Sequence, residues 1–230
     1  ILSQSLNMGA VYVMEQLGKD KFREAMKKYG IAERTGIDLP GEAVGNIKNL
    51  NSTRLIEYAT AAFGQGINMT PFELTRALAS LGNGGVLVNP YLVEKVEYPS
   101  GRVVLKHIPE PKRILKEETS RTITRMLVEV VDKKLANGHG KIPGYSVAAK
   151  TGTAQIASLD RRGYSGDFMH TFFGYGPAYD PQFLVVLYLE RPQGIQYASE
   201  SLTEPFRSTM KHLFSYFEVP PDRPQELSSQ

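Results

Sequence analysis

Two short apolar runs, TFFGYG at 171–176 and FLVVLYL at 183–189, are separated by little more than the turn sequence PAYDP. Each run has the length and the aromatic or β-branched content of a strand. A connection this tight leaves no room for a crossover helix, so the pair folds as an antiparallel hairpin. A third strand candidate, 145–156, lies upstream. The other segments must pack around antiparallel β-structure, and their order agrees. Helical patterns come first, then strands, then a helix, with no repeated βαβ rhythm. The expected class is α+β: an antiparallel sheet flanked by helices, plus a helical subdomain.

Residues 8–17 form a helical pattern stopped by Gly18, and 19–29 a second one stopped by Gly30. GIDLPGEAVGNI (36–47) is a loop by its glycines and proline. A further apolar segment, 55–63, ends at the GQG of 64–66. In TPFELTRALASLGNGG, Thr70 and Glu73 spell a capping box with Pro71 at the first helical position. Leu74, Ala77, Leu78 and Leu81 then share a face, and glycines end the helix. Residues 86–106 read as short strands with a turn at 99–101. A long amphipathic helix follows, with Ile123, Met126, Leu127, Val130, Val131 and Leu135 as its expected buried stripe and Asn137-Gly138 as its end. A terminal helix is expected over 204–217. Residues 1–218 thus read as one domain, mainly helical over 1–85 and sheet with flanking helices over 86–218. Residues 219–230 read as a polar tail.

Charge and composition remove several function classes. Twenty-seven basic against 24 acidic residues leave a net charge of +3, too weak a field to make nucleic acid the expected partner. The absence of cysteine excludes disulfides, a thiolate nucleophile and thiolate-bound zinc. His107, His139, His170 and His212 are too scattered for a metal site and read as structural, so neither metal nor cofactor is expected. The longest apolar runs are strand-length and cannot span a bilayer. The sequence opens on Ile1 and enters a motif within five residues, which reads as a piece of a longer protein.

The sharpest chemical feature is Lys150, at the end of the apolar stretch Val147-Ala148-Ala149 and followed by Thr151-Gly152-Thr153. A phosphate-binding loop does not fit. That loop needs a flexible backbone opening into a helix, whereas here strand formers precede the lysine and Gly152 follows at once. GHGKIPG at 138–144 likewise lacks a following helix for a dinucleotide and reads as a turn. An edge strand fits better. It takes an extended ligand by backbone pairing, the glycine permits close approach, and an ammonium with two hydroxyls holds a carboxylate. Lys-Thr-Gly accompanies Ser-x-x-Lys and a Ser-x-Asn-type triplet in penicillin-binding proteins and serine β-lactamases. The triplet is present as Ser5-Leu6-Asn7, just before a helix.

SLNMGA, TGIDLPGE, AFGQGINMTPFELTRALASLGNGG, IPGYSVAAKTGTAQ and HTFFGYGPAYDPQFLVVLYLERP, in this order, resemble the transpeptidase domain of class B penicillin-binding proteins. The resemblance implies a cleft in which Ser5 relays protons, Asn7 binds the substrate amide, and Lys150 supplies positive charge. It implies that Thr151 and Thr153 bind the substrate carboxylate, with the Thr153 N–H in the oxyanion hole and Gly152 keeping the strand clear. It also implies a D-Ala-D-Ala stem peptide as substrate, β-lactams as inhibitors, and attachment to the outer face of a bacterial cytoplasmic membrane through an N-terminal segment.

The family's nucleophile lies in a Ser-x-x-Lys upstream of Ser-x-Asn, and only four residues precede Ser5. Ser208-Thr-Met-Lys211 has the spelling but follows Lys-Thr-Gly, so it reads as a helix face. The nucleophile is therefore expected in the N-terminal remainder of a longer protein, leaving this chain incomplete and inactive alone. The same loss leaves 183–189 as an unpaired apolar edge. A β-lactamase, a β-lactam-sensing domain and a non-catalytic interaction module are the alternatives. FGQGINMTPFEL favours a transpeptidase over the first two, and the joint occurrence of Ser5, Asn7, Lys150 and both threonines argues against the third. Tyr164 and Phe168, expected in a loop, either line the cleft or fall near it by chance.

Overall fold

The computed structural model describes residues 1–158, 160 and 163–227. Its first part is helical: α1 (Asn7–Leu17), α2 (Lys19–Lys28), α3 (Leu55–Ala61) and α4 (Pro71–Gly82). Val11, Met14, Phe22, Leu50, Tyr58 and Ala61 form a core of their own. The loop between α2 and α3 buries Ile31, Ile37 and Leu50 and is also held by carboxylates. Glu42 accepts from the N–H and hydroxyl of Thr35, both at 2.6 Å. Asp38 accepts from the N–H groups of Leu92 and Val93 and from Lys106 at 3.0 Å, and these donors hold its carboxyl well below the usual carboxylate range. Each carboxylate thus gives loop N–H groups a partner within the protein.

α4 begins with the capping box and proline that its sequence spells. Its buried face differs from the expected leucine stripe, for Glu73, Arg76, Ala77 and Ser80 are the buried residues. Glu73 carries a second load besides the cap, accepting from Gly45 N at 2.9 Å as well as Thr70 N at 2.8 Å. Arg76 donates to Gly30 O at 2.8 Å. The helix turns this polar side inward because it gathers loop backbone, while Leu74, Leu78 and Leu81 are half-buried.

Two small ribbons follow. β1 (Val86–Leu87) pairs with β4 (Lys112–Arg113), and β2 (Lys95–Glu97) with β3 (Val103–Leu105) around the expected turn. α5 (Glu117–Lys133) buries Leu127, Val128, Val130 and Val131, but Met126 is 46% exposed, contrary to the expected stripe. A 3-10 turn, Leu135–Gly138, continues it and buries Leu135. The main sheet has the order β5-β6-β7, all antiparallel: β5 (Ala148–Ala157), β6 (Tyr164–Gly176) and β7 (Phe183–Glu190). α6 (Ala198–Tyr216) packs against this sheet. Gly174 and Gly176 have no side chains where the Phe206 and Phe214 rings of α6 press on β6, and Phe206 stacks on Phe172 with ring centroids 4.3 Å apart.

Three boundaries move from their expected places. β5 starts at Ala148 rather than 145, because Tyr145 bridges back to Ile142. β6 starts at Tyr164 rather than 171, so Tyr164 and Phe168 are strand residues, paired with Ala157 and Gln155. α6 starts at Ala198 rather than at 204 and runs through Pro205.

Residues 219–227, expected as a polar tail, are fastened to the segment that leads into β5; 228–230 lie outside the described residues. Asp222 accepts from Ser146 N at 2.7 Å and from the Ser146 hydroxyl. Arg223 Nη1 donates to both carboxylate oxygens of Asp132, at 3.0 and 2.9 Å, and Lys141 pairs with Glu226 at 2.9 Å. Composition alone marks this segment as polar, but its charges meet opposite partners on α5 and on the 141–146 turn.

Asp222→Ala leaves the buried Ser146 donors without an acceptor and is expected to lower unfolding free energy by about 1–3 kcal/mol. Asp222→Asn, which keeps an acceptor oxygen, is expected to lose less. Urea denaturation followed by far-UV circular dichroism checks both; equal losses would overturn the hydrogen-bond account.

Candidate active site

β5 is an edge of the sheet, paired only with β6 among the described residues, so its outer edge offers backbone donors and acceptors to a ligand. Alternation along a strand then sorts its side chains. Ala149 enters the core beneath α6, and Thr151 and Thr153 continue that face. Ala148 packs with Leu127 and Val128 of α5, and Lys150 and Gly152 continue that opposite face. The lysine and the two threonines therefore stand on opposite faces of one edge strand.

Lys150 Nζ donates to Ser5 Oγ at 2.9 Å, joining residues 145 positions apart, and to Thr151 O at 2.8 Å. Burial pushes the Lys150 amine below its ordinary value, because a charged ammonium loses hydration there. Among the described residues no carboxylate forms an ion pair with it. A hydroxyl that accepts from the amine retains its own proton to donate, so the pair can pass a proton.

The backbone presents Ser5 deliberately. A 3-10 turn, Leu2–Gln4, ends at Ser5 with φ 50° and ψ 46°, a left-handed conformation that costs a residue other than glycine roughly 1–2 kcal/mol. Asn7 is the first residue of α1, exposed to solvent two positions beyond Ser5. Gly152 faces its cross-strand partner Thr171, whose Oγ1 would lie 2.5 Å from a Cβ at that position. A side chain there would collide with β6 as well as obstruct the edge.

Thr153 is exposed, yet its Oγ1 is engaged, accepting from Ala198 N at the first turn of α6 at 3.0 Å. Its cross-strand partner is His170, fully buried and bonded to Ser201 Oγ at 2.8 Å and Gln196 O at 3.1 Å. Sequence reasoning did not connect these residues with the site, since only the hairpin register places His170 opposite Thr153. Ser208 lies apart, on the exposed side of α6, with its hydroxyl donating to Glu204 Oε1 at 3.2 Å.

Residues 1–211 match the penicillin binding protein transpeptidase domain. Stage V sporulation protein D of Bacillus subtilis is 36% identical over 199 residues, spanning 84% of this chain and 30% of that protein. The probable peptidoglycan D,D-transpeptidase PenA of Neisseria gonorrhoeae is 29% identical over 225 residues, spanning 97% of this chain and 37% of that protein. Penicillin binding protein 3 of Mycobacterium tuberculosis, solved with ampicillin, superposes with a TM-score of 0.85 at 26% identity, over 94% of this chain and 50% of that one. The chain spans about a third of the length of these curated relatives.

The depressed Lys150 pKa sets a pH dependence. Between a lowered folded value and the ordinary 10.5, the unfolded state binds more protons, so stability rises with pH across that window. Lys150→Met removes the buried charge. It is expected to unfold at higher urea than the parent at pH 7, the difference narrowing as pH climbs toward 10.5. A parent more stable than the variant at pH 7 would show that the two Lys150 hydrogen bonds outweigh desolvation.

Proposed function

The chain belongs to the penicillin-binding protein transpeptidase family, and on that premise we propose that it forms the Lys-Thr-Gly side of a peptidoglycan D,D-transpeptidase site. The observation that carries the proposal is the Lys150 Nζ to Ser5 Oγ hydrogen bond at 2.9 Å, which joins two motifs 145 positions apart in the sequence. In this reading the D-Ala-D-Ala end of a stem peptide lies along the outer edge of β5. Thr151 and Thr153 hold its carboxylate, Lys150 contributes positive charge, Ser5 relays a proton, and Asn7 binds the amide. The Thr153 N–H stabilises the oxyanion that forms when a serine attacks the penultimate carbonyl. The C–N bond then breaks and D-Ala leaves with a proton. The amine of a neighbouring stem attacks the resulting ester, forming the crosslink and returning the serine hydroxyl. A β-lactam enters by the same carboxylate contacts and acylates the same serine.

The attacking serine is the part this sequence does not provide in the family's order, Ser-x-x-Lys before Ser-x-Asn. We assign it to the N-terminal remainder of a longer protein. An apolar cavity of about 790 Å³ supports that assignment, lined by residues including Ile1, Leu2, Val13, Met14, Phe22 and Met126. It adjoins the 3-10 turn that presents Ser5, and it gives the exposed Met126 a partner. The outer edge of β7, without a partner strand among the described residues, is a second seat for that remainder. No helix among the described residues is long and apolar enough to cross a membrane, so attachment to the outer face of the cytoplasmic membrane is assigned to the same remainder.

The 230-residue chain alone is expected to form no covalent penicillin adduct, because an unactivated serine hydroxyl is a weak nucleophile. Intact-mass spectrometry after incubation with benzylpenicillin checks this. An adduct mapped to Ser5 or Ser208 would overturn the assignment of the nucleophile. In the longer protein, Thr151→Val with Thr153→Val is expected to slow acylation at least tenfold while the melting temperature stays within a few degrees. Unchanged acylation would remove the threonines from the carboxylate site.

A further inference from the structure

We propose that His170 is a positioning residue for the carboxylate subsite, acting through the entry of α6 on the hydroxyl of Thr153. The inference rests on the reading of Thr153 as a carboxylate ligand and adds what makes it one.

His170 is fully buried and stands opposite Thr153 in the β5–β6 ladder. Its two ring nitrogens reach two points on the path from β7 into α6. Gln196 O, 3.1 Å from Nε2, can only accept, so Nε2 carries a proton. In a neutral ring Nδ1 is then the acceptor, and Ser201 donates to it at 2.8 Å. Gln196 and Ser201 bracket Ala198, the first residue of α6. The ring thus grips the chain before and after the residue whose N–H lies 3.0 Å from Thr153 Oγ1. Residues 193–197 are otherwise exposed, and Ala198 is buried.

This has a chemical consequence at the strand edge. A threonine hydroxyl has one proton and two lone pairs, and a carboxylate can only accept. An isolated Thr153 could rotate its Oγ1 toward solvent or toward a neighbouring carbonyl. With one lone pair occupied by Ala198 N–H, the oxygen is fixed in place and its O–H remains free to donate. The hydrogen bond it accepts also polarises the one it gives. His170 never touches the ligand; it keeps the α6 terminus where that N–H meets Thr153.

The test compares acylation of the longer protein by benzylpenicillin and by its methyl ester, which lacks the carboxylate charge. Thr153→Val is expected to reduce the acid-over-ester preference about tenfold, the effect of one hydrogen bond to a charged group. His170→Phe keeps a ring of similar size, loses both hydrogen bonds, and is expected to reduce the preference by a similar factor. Combining it with Thr153→Val is expected to add no further loss, the coupling of residues acting on one contact. Ser201→Ala, a smaller change, is expected to reduce the preference two- to fivefold and to keep the parent melting profile if the phenylalanine variant does not fold. A merely structural histidine would slow acid and ester alike and leave their ratio intact. A parental ratio retained in either variant overturns this inference alone. A parent that acylates equally fast with acid and ester overturns the carboxylate reading and this inference together.

Discussion

The register of β5 against β6 is the constraint on which the site depends. Pairing Lys150 with Phe173 and Thr151 with Phe172 puts the lysine on the α5 face and the threonine on the α6 face. Slipping one residue would exchange those faces and send the ammonium beneath α6, among Phe172, Phe206 and Met210. The apolar residues prevent the slip. Ala149 and Phe172 fit the α6 core, Ala148 and Tyr175 fit the α5 core, and neither set can trade places without voids or collisions. The glycines of β6 add to this, since Gly174 and Gly176 lie where α6 rings need the strand bare. Core packing decides which way the polar residues point.

The polar residues on that frame divide into two kinds. Glu42, Glu73, Asp38 and Asp222 accept from backbone N–H groups and thereby fix loops. Each acts as a side-chain substitute for the regular hydrogen bonding that loops lack. Lys150 is different. It is substantially buried without a carboxylate partner among the described residues, and Ser5 is held in a left-handed conformation to reach it. A desolvated amine and a strained backbone at one contact are costs that a purely structural contact would not need.

The sequence made much of this legible where local chemistry decides the outcome. The capping box of α4, the turn at 99–101 and the hairpin around PAYDP carry their geometry within a few residues. Lys150 and Ser5 were readable as motif members because their spelling is unusual. Illegible features were those set by distant partners. The start of α6 has a weak helical pattern, and Pro205 resembles a first-turn proline; what secures Ala198 is Thr153, 45 positions away. The early part of β6, Tyr-Ser-Gly-Asp-Phe, lacks the composition of a strand and becomes one because β5 extends far enough to pair with it. Met126 fits a helical stripe by spacing, yet lies on a side of α5 that borders the large cavity. The fastening of 219–227 depends on the charges of Asp132 and Lys141 and the donors of Ser146, which no local pattern ties to Asp222, Arg223 and Glu226.

That fastening bears on how the protein is made. A ribosome releases the chain from its N-terminus, so β5 emerges well before the residues that secure its approach. Until Asp222 and Arg223 have been synthesised, Ser146 lacks its acceptor and Asp132 its cation. The helical portion can condense while translation continues, having its own core. The strand bearing Lys150 cannot. Its final setting waits for Asp222 and Arg223, and a chain stopped shortly before Asp222 would carry Ser5, Asn7, Lys150 and both threonines on an unsecured strand.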